Sequence, residues 1–379
     1  MIPLSEPVLG QAEKKWIAKC LRSGFVSSAG PMVTEFESRF AAMVGSKWAV
    51  ATSSGTAALH VTLHALGIGS GDSVAVPDLT FVASLNPVLF CGAEPLLLDV
   101  DPATWCMDLA LLRSLCASRR NSKRIKAVVP VHLYGCACDM VELRRIALEY
   151  DLLIVEDATE ALGTTLHGKQ LGTFGTAGCF SFNGNKLLTT GAGGMVVTDS
   201  EQLAAKIRYL VNQARDNPVF YLHGAMGFNY RMDSLSAALG IAQLTRFETI
   251  LRRKQAIAAR YNKVVRHLPG LQSLPVQNGV THSYWMYSVV LQNVTRRDAW
   301  LKALNKANIA ARPFFHPLHR QPYVNSRLWT RGPRGARQSQ QGVSDILAAG
   351  GINLPSSAGL KKNDQDTVLQ CLQTLACRT

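Results

Sequence analysis

The sequence predicts an α/β fold, with a mostly parallel sheet in a large domain and a smaller α+β domain after it. Over the first two thirds of the chain, helical patterns alternate with short β-branched runs that end in turn residues. This alternation is typical of a parallel sheet covered by helices. The composition agrees, because 379 residues with 47% hydrophobic and 17% charged side chains bury a large core and leave little room for long disordered tracts.

Seven short apolar runs have the composition of buried strands, so we predict a mixed, mostly parallel seven-stranded sheet. They are residues 48–51, 73–77, 95–99, 125–131, 152–155, 178–182 and 194–198. Helical stretches lie between them, such as 56–66 and 140–150, because their apolar residues recur at helical spacing.

A helical pattern from residue 234 to about residue 267 links this unit to a second one. We therefore predict an N-terminal arm and large domain over residues 1–240, and a small C-terminal domain over residues 241–379. In the small domain we expect a strand at 283–291, helices at 297–307 and 367–375, and a loop at 330–342.

The cysteines and the apolar segments argue against several classes of protein. Nine cysteines without a CxxC pair indicate neither a zinc ribbon nor a regular disulfide framework, so we predict no metal site and a reducing cytoplasm. The first residues lack a basic flank followed by an apolar core, and no apolar run approaches the roughly 20 residues of a membrane helix. Neither secretion nor a membrane partner is expected.

The net charge of +14 is compatible with nucleic acid, an anionic membrane face or small phosphorylated ligands. The densest basic segment, residues 113–126, lacks interleaved aromatic residues, and no zinc-finger or RNA-binding pattern accompanies it. We interpret it as a solvated surface loop and expect no nucleic-acid partner.

Three segments in chain order carry chemistry. Small residues at 53–59 follow the first strand and open a helix, whose free N–H groups attract phosphate, although an ordinary N-cap explains them equally well. The strand at 152–155 delivers Glu156, Asp157 and Glu160 to its carboxyl end, where ligands bind on an open α/β sheet; helix caps or solvated charges are the alternative.

The third segment holds Lys186 among small and apolar residues. Burial lowers the pKa of a lysine, and a neutral amine forms a Schiff base with an aldehyde such as that of pyridoxal phosphate. Taken alone, Lys186 reads as a surface lysine in a glycine loop. Together, the helix-end phosphate site, the strand-end Asp157 and Lys186 are the groups that a pyridoxal phosphate site requires.

Seven ordered motifs extend this set of groups over nearly the whole chain. They are SSGTAALH (53–60), PDLTF (77–81), VHLYG (131–135), EDATE (156–160), SFNGNK (181–186), GFNYRM (227–232) and RPFFHPLH (312–319). With them the sequence resembles the DegT/DnrJ/EryC1/StrS family of sugar-nucleotide aminotransferases, which have the fold type I pyridoxal phosphate architecture.

The resemblance implies a role for each matching residue. Lys186 becomes the Schiff-base lysine and proton carrier, and Asp157 the partner of the pyridinium nitrogen. Phe81 is expected to stack on the cofactor ring and Glu160 to meet its hydroxyl. The residues expected to bind the cofactor phosphate are Gly55, Thr56, Ser181 and, from the other subunit of a homodimer with shared active sites, Asn229.

The substrate residues are less specific. Arg231 and Arg312 are candidates for holding the donor carboxylate or nucleotide phosphates, since guanidinium groups match such oxyanions, although either also suits a structural ion pair. His316 stands where the family commonly has Tyr, in a stretch expected near the sugar. His132 and His319 are weaker candidates, because a histidine near a sheet end often only packs.

The resemblance is strongest to the perosamine synthase-like branch, on residues 181–186, 189–191, 284–286 and 351–356. It implies that glutamate donates an amino group, leaving 2-oxoglutarate, and that C4 of GDP-4-keto-6-deoxymannose accepts it, for O-antigen or other glycan biosynthesis. UDP- or dTDP-linked 4-keto sugars, 3-keto sugars, and a regulatory protein that keeps the fold without catalysis remain alternatives.

Overall fold

A computed structural model describes residues 1–118, 125–217, 219–324, 329–330 and 342–377. Its α-helices are, in chain order, α1 (Gln11–Ser23), α2 (Pro31–Val44), α3 (Gly55–Ala65), α4 (Asn86–Phe90), α5 (Leu109–Ser118), α6 (Met140–Tyr150), α7 (Glu201–Val211), α8 (Ser234–Leu244), α9 (Phe247–Val265), α10 (Arg297–Lys306), α11 (Val343–Gly350) and α12 (Lys362–Ala376).

The strands are short, with at most five residues each. They are β1 (Trp48–Thr52), β2 (Ser73–Pro77), β3 (Glu94–Leu98), β4 (Ile125–Val128), β5 (Leu153–Asp157), β6 (Thr165–Leu166), β7 (Lys169–Gln170), β8 (Ala177–Ser181), β9 (Gly194–Thr198), β10 (Arg215–Asn217), β11 (Leu222–His223), β12 (Leu271–Ser273), β13 (Val280–Thr281), β14 (Tyr287–Leu291), β15 (Arg312–Pro313), β16 (Trp329–Thr330) and β17 (Gly351–Leu354).

The large sheet has the spatial order β1-β9-β8-β5-β4-β2-β3-β16. Strands β8, β5, β4, β2, β3 and β16 run parallel, and β9 is antiparallel to both of its neighbours, β1 and β8. The mostly parallel α/β fold is therefore confirmed, with all seven predicted strands in this sheet. The eighth, β16, escaped prediction because two residues are too few for a periodic signal.

Apolar layers cover both faces of the sheet, as alternation along a strand requires. In β2, Val74 and Val76 belong to one buried cluster with residues of α3 and α7, whereas Ala75 belongs to a second cluster with residues of α2 and α6. In β9, Val196 faces the first cluster and Met195 the second. Burial on both faces explains why these strands read as continuous apolar runs.

The second half of the chain builds a four-stranded antiparallel sheet of order β12-β14-β17-β15. A third buried cluster joins it to helices α9, α10 and α12. Two segments cross the predicted boundary at residue 240: β16 pairs with β3 of the large sheet, and Ile2 forms a bridge with Ile309. The division into residues 1–240 and 241–379 stays a prediction.

Several predicted boundaries need correction. The pattern from 234 to 267 is two helices, since α8 ends at Leu244 and α9 begins at Phe247. The strand predicted from residue 283 begins at Tyr287. The last helix begins at Lys362, five residues before its predicted start, because its first turn is polar and gives no apolar signal. Residues 119–124 of the basic segment and 331–341 of the predicted loop lie outside the described residues.

Among the helices of the described ranges, none has the length and hydropathy needed to cross a membrane. The cysteines of these ranges are all free thiols, and most of them are buried.

Candidate active site

Strand register brings the three chemical segments to one edge of the large sheet. Thr52 and Ser181 both lie opposite Gly194 of β9, and Asp157 is the last residue of the neighbouring β5. A cavity of about 410 Å³ opens at this edge. Eight of the eleven predicted site residues line it, namely Gly55, Thr56, Phe81, Asp157, Glu160, Ser181, Lys186 and Arg312.

The N-terminus of α3 forms one wall of the cavity. Ser54 is the N-cap, and its hydroxyl accepts a hydrogen bond from the backbone N–H of Ala57. The N–H groups of Gly55 and Thr56, at the first two positions of the helix, have no carbonyl partner within it. A Cβ at position 55 would lie 2.9 Å from the Ser181 Cβ, so only glycine allows this approach. The wall suits a phosphate group.

Asp157 forms the floor and is 2% exposed. Its Oδ2 accepts a hydrogen bond from the Ser84 hydroxyl at 2.6 Å, and its Oδ1 accepts one from the Thr159 N–H at 3.1 Å. Ser84 in turn lies 2.9 Å from the Thr80 hydroxyl. The carboxylate is held in one orientation by partners on both oxygens.

Lys186 and Glu160 form a buried pair beside Asp157. The Lys186 Nζ lies 3.8 Å from the Glu160 Oε1, and the Tyr134 N–H donates to the Glu160 Oε2 at 2.8 Å. Burial lowers the pKa of Lys186, against the attraction of the two carboxylates. Burial also raises the pKa of Glu160 to about 7, against the Lys186 charge and the Tyr134 N–H. Burial therefore favours the uncharged form of each group more than an exposed position would, which suits an amine that reacts with an aldehyde.

Three residues of the site escaped the sequence analysis. Trp285 places its ring centroid 3.7 Å from the Lys186 Nζ, Tyr134 holds Glu160, and Ser84 holds Asp157. Tyr134 lies in the HLYG motif and Trp285 in the segment 284–286, so the sequence held a signal for both. Ser84 carried none.

The remaining predicted residues lie outside the lining of this cavity. Asn229 is exposed and pairs with Asn212, and Arg231 is half-buried and pairs with Thr52, both through isolated backbone bridges. His316 is exposed, and its carbonyl oxygen accepts a hydrogen bond from Gln321. The expected sugar contact of His316 and the expected contact of Asn229 with a second subunit stay predictions.

Glu156, His132 and His319, which the sequence placed near the site, have structural partners. Glu156 accepts backbone hydrogen bonds from residues 172, 174 and 175 and lies 3.1 Å from the His132 Nε2. The other ring nitrogen of His132 accepts from the Cys138 N–H, so Nε2 carries the proton. His319 stacks on Trp329 and lies 2.6 Å from Asp78. Both histidines and Glu156 therefore pack away from the cavity.

The residues present fit pyridoxal phosphate. The space between Gly55 and Ser181, which a Cβ at position 55 would fill, suits the phosphate. The buried Asp157 suits the ring nitrogen, and the Lys186 amine suits the aldehyde. The Phe81 ring, 52% exposed, borders the cavity on another side. Within the described ranges, no group of three His, Cys, Asp or Glu side chains is arranged to hold a metal ion.

Comparison with known proteins leads to the same family. A sequence model of the DegT/DnrJ/EryC1/StrS aminotransferase family matches residues 7–373. GDP-perosamine synthase of Caulobacter vibrioides is 40% identical over 374 residues, which cover 98% of this chain and 97% of that protein.

Solved structures agree with the sequence comparison. The aminotransferase TlmJ of Streptoalloteichus hindustanus superimposes with a TM-score of 0.88 at 30% identity, over 100% of both chains. The PLP-form of a Streptococcus pneumoniae protein described as a sugar aminotransferase does so with a TM-score of 0.87 at 25% identity, over 100% of this chain and 99% of the other. This chain therefore belongs to the DegT/DnrJ/EryC1/StrS aminotransferase family, and it is a pyridoxal phosphate-dependent transaminase.

Proposed function

We propose that this enzyme transfers the amino group of glutamate to C4 of GDP-4-keto-6-deoxymannose, the reaction of a perosamine synthase. The observation that carries the sugar substrate is the 40% identity to GDP-perosamine synthase over 374 residues. The cavity beside Lys186 supports the chemistry, because a buried amine, two carboxylates and a phosphate-binding helix end meet there.

We assign the cofactor contacts to residues that line this cavity. Gly55, Thr56 and Ser181 bind the phosphate through N–H and hydroxyl donors. Asp157 pairs with the ring nitrogen, and the Ser84 hydroxyl keeps that carboxylate in place. Phe81 stacks on the ring, and Glu160 meets the ring hydroxyl. When bound, the cofactor supplies an electron-accepting ring that stabilises the negative charge left at a carbon that loses a proton.

Lys186 is the residue that moves the proton in this assignment. Its Nζ removes the proton from the amino donor and returns one to the new amino sugar, so one side chain serves both halves of the reaction. A low pKa suits this task, because a fully protonated amine accepts no proton. Glu160, 3.8 Å away, balances the charge when the amine is protonated.

Arg312 is our candidate for binding the carboxylate of glutamate or the phosphates of the sugar nucleotide. It lines the cavity, and its side chain is exposed at strand β15. A guanidinium group matches a carboxylate or a phosphate with paired hydrogen bonds. Arg231 lies outside the lining of this cavity, so Arg312 is the better placed of the two within one chain.

We further propose a homodimer with shared active sites. The hairpin of β10 and β11 and the residues after it carry five apolar side chains that are at least 61% exposed: Val219, Phe220, Tyr221, Leu222 and Met226. Exposed apolar patches of this kind mark interaction surfaces. Asn229 lies three residues after Met226, and we propose that it contributes to the cavity of a second subunit. We infer a cytoplasmic enzyme whose product supplies O-antigen or other glycan biosynthesis.

The test is incubation of the purified protein with glutamate and a panel of 4-keto-6-deoxy and 3-keto sugars linked to GDP, UDP or dTDP. We expect 2-oxoglutarate to form fastest with GDP-4-keto-6-deoxymannose, and NMR of the product to place the new amine at C4. Faster turnover of a UDP- or dTDP-linked sugar, or an amine at C3, contradicts the proposed substrate. A colourless protein that gains no visible absorbance with added pyridoxal phosphate contradicts catalysis altogether.

A further inference from the structure

Trp285 lies as near to the amine of Lys186 as the nearest carboxylate of the described residues does. The indole centroid is 3.7 Å from Nζ, whereas the nearest carboxylate oxygen, on Glu160, is 3.8 Å away. Trp285 is 4% exposed, so solvent screens this contact little. A cation over an indole face is stabilised by the ring quadrupole, most strongly where water is excluded.

Hydrogen bonds fix the indole relative to the segment that carries Lys186. Its Nε1 donates to the carbonyl oxygen of Asn185 at 2.8 Å, and the Ser5 hydroxyl donates to the same oxygen at 2.9 Å. The residue before the lysine is thus tied both to Trp285 and to the N-terminal arm. Because the peptide of Asn185 is held, the Lys186 side chain starts from a fixed point over the ring.

A second buried lysine binds the backbone of Trp285. Lys254 of α9 is 3% exposed, and its Nζ donates to the Trp285 carbonyl oxygen at 2.6 Å and lies 3.4 Å from the Ser356 hydroxyl. Within the described residues it has no ion-pair partner, and burial lowers its pKa to about 7. Burying an amine that has only neutral acceptors costs stability. We therefore ask what its hydrogen bond to the Trp285 carbonyl oxygen does for the site.

We propose that the indole face of Trp285, together with Glu160, holds the Lys186 ammonium while that amine is not covalently bound to the cofactor, and that Lys254 is a positioning residue for Trp285. The inference rests on the proposed function, in which Lys186 is the reacting amine. Between the two halves of the reaction this amine is free, and the indole stabilises its protonated form within reach of the cavity. Trp285 is then a catalytic residue, because it touches the reacting atom.

Charged groups near Lys186 also affect its pKa. Glu160 faces the amine directly, and Asp157 and Arg312 line the same cavity. Lys254 contacts the Trp285 carbonyl oxygen. Removing the ring while keeping apolar bulk separates two effects: loss of the cation–π contact lowers the pKa of Lys186, whereas entry of water raises it.

The experiment uses the full-length protein loaded with pyridoxamine 5′-phosphate, in which Lys186 is free. Acetic anhydride labels amines over a range of pH, and mass spectrometry of the Lys186 peptide gives the midpoint of the profile. We expect Trp285→Leu to lower the midpoint by about one pH unit, a tenfold change in the acid equilibrium. Trp285→Phe, which keeps an aromatic face, is expected to lower it by less than half of that.

Lys254→Met is expected to shift the midpoint in the same direction by less than Trp285→Leu does, because the ring remains but its backbone anchor is lost. The matched control is Trp300→Leu. It removes another buried tryptophan, which is 2% exposed and belongs to the cluster at the four-stranded sheet. We expect it to leave the midpoint unchanged. If Trp285→Leu does not fold, Trp285→Met carries the test. Circular dichroism checks each variant.

An unchanged or raised midpoint in Trp285→Leu overturns the role of the indole. An unchanged midpoint in Lys254→Met, with a shift in Trp285→Leu, overturns the role of Lys254. Neither result depends on the sugar, because no turnover is required. Failure of the proposed function shows instead as absence of amino sugar from the wild type, with the midpoints still measurable.

Discussion

Two glutamates at the carboxyl end of β5, four residues apart, lie in opposite surroundings. Glu156 faces the loop 172–175 and is saturated by three backbone N–H groups and the His132 ring. Glu160 faces the cavity and has one backbone donor and the Lys186 amine. Both are at most 5% exposed, so burial does not distinguish them.

The difference lies in hydrogen bonding. A carboxylate whose oxygens accept several N–H groups, as those of Glu156 do, serves the fold. Glu160 has one backbone donor, burial raises its pKa to about 7, and its other oxygen faces the reacting amine. Hydrogen-bond partners, more than position in a motif, therefore separate a structural acid from a reactive one, and five substitutions test this.

Lys186→Ala has the largest expected effect, because it removes the amine that Glu160 faces. We expect turnover to fall by at least about 10³-fold, the loss of both covalent and proton-transfer catalysis. Folding remains, since Glu160 can then stay protonated. The measurement is 2-oxoglutarate formation, with circular dichroism of the variant. Lys169→Ala, which removes an exposed lysine, is the control. Retained transamination would remove the central role of Lys186.

Asp157→Asn comes second. The neutral amide no longer favours a proton on the ring nitrogen, so we expect the rate to fall on the order of hundredfold or more. The glutamate half-reaction, followed by cofactor absorbance, is the measurement. Ser84→Ala is its companion variant, with a smaller loss in the same direction, because it removes one hydrogen bond to the carboxylate. A near-native rate in Asp157→Asn contradicts the assignment.

Glu156→Gln acts on the structural side of the comparison. The NH₂ group of the glutamine would face backbone N–H groups that now donate to a carboxylate oxygen, so those donors would lose their acceptor. We therefore expect the free energy of unfolding to fall by about 1–3 kcal/mol. Activity per folded molecule stays close to that of the wild type. Urea unfolding measures the first and a turnover assay the second, with the exposed Glu149→Gln as control. A stable variant without activity contradicts a structural Glu156.

Glu160→Gln has the smallest expected effect on stability, and it depends on pH. Because the folded-state pKa of Glu160 is raised to about 7, its contribution to stability is present below the ordinary pKa and is lost as pH rises through the folded-state value. From about pH 5.5 to about pH 6.5 the wild type loses about 1 kcal/mol more than Glu160→Gln. Urea unfolding at both pH values measures this. Parallel pH dependence of the two proteins contradicts the raised pKa.

The sequence was enough to predict the fold and the reacting groups, but not the residues that hold those groups in place. Lys186, Asp157 and Gly55 came from small residues, a strand end and ordered motifs, and the cavity contains all three. Ser84 and the contact of Trp285 with Lys186 escaped. A serine in a short turn has no local pattern, and a tryptophan 99 residues after the lysine has none that indicates its partner. The same limit applies to Glu156, which looked like a site residue until its loop partners were placed.

What the sequence determined by itself was the layered architecture, the order of the motifs and the kind of chemistry they carry. Neighbouring residues determine both the burial of β2 on its two faces, as at Val74, Ala75 and Val76, and the start of α3 at small residues. Only the tertiary structure decided which acid is reactive and which rings and lysines surround the amine, because those contacts join residues far apart in the chain. Burial and hydrogen bonding, which set the pKa values here, are properties of that assembly and not of any segment.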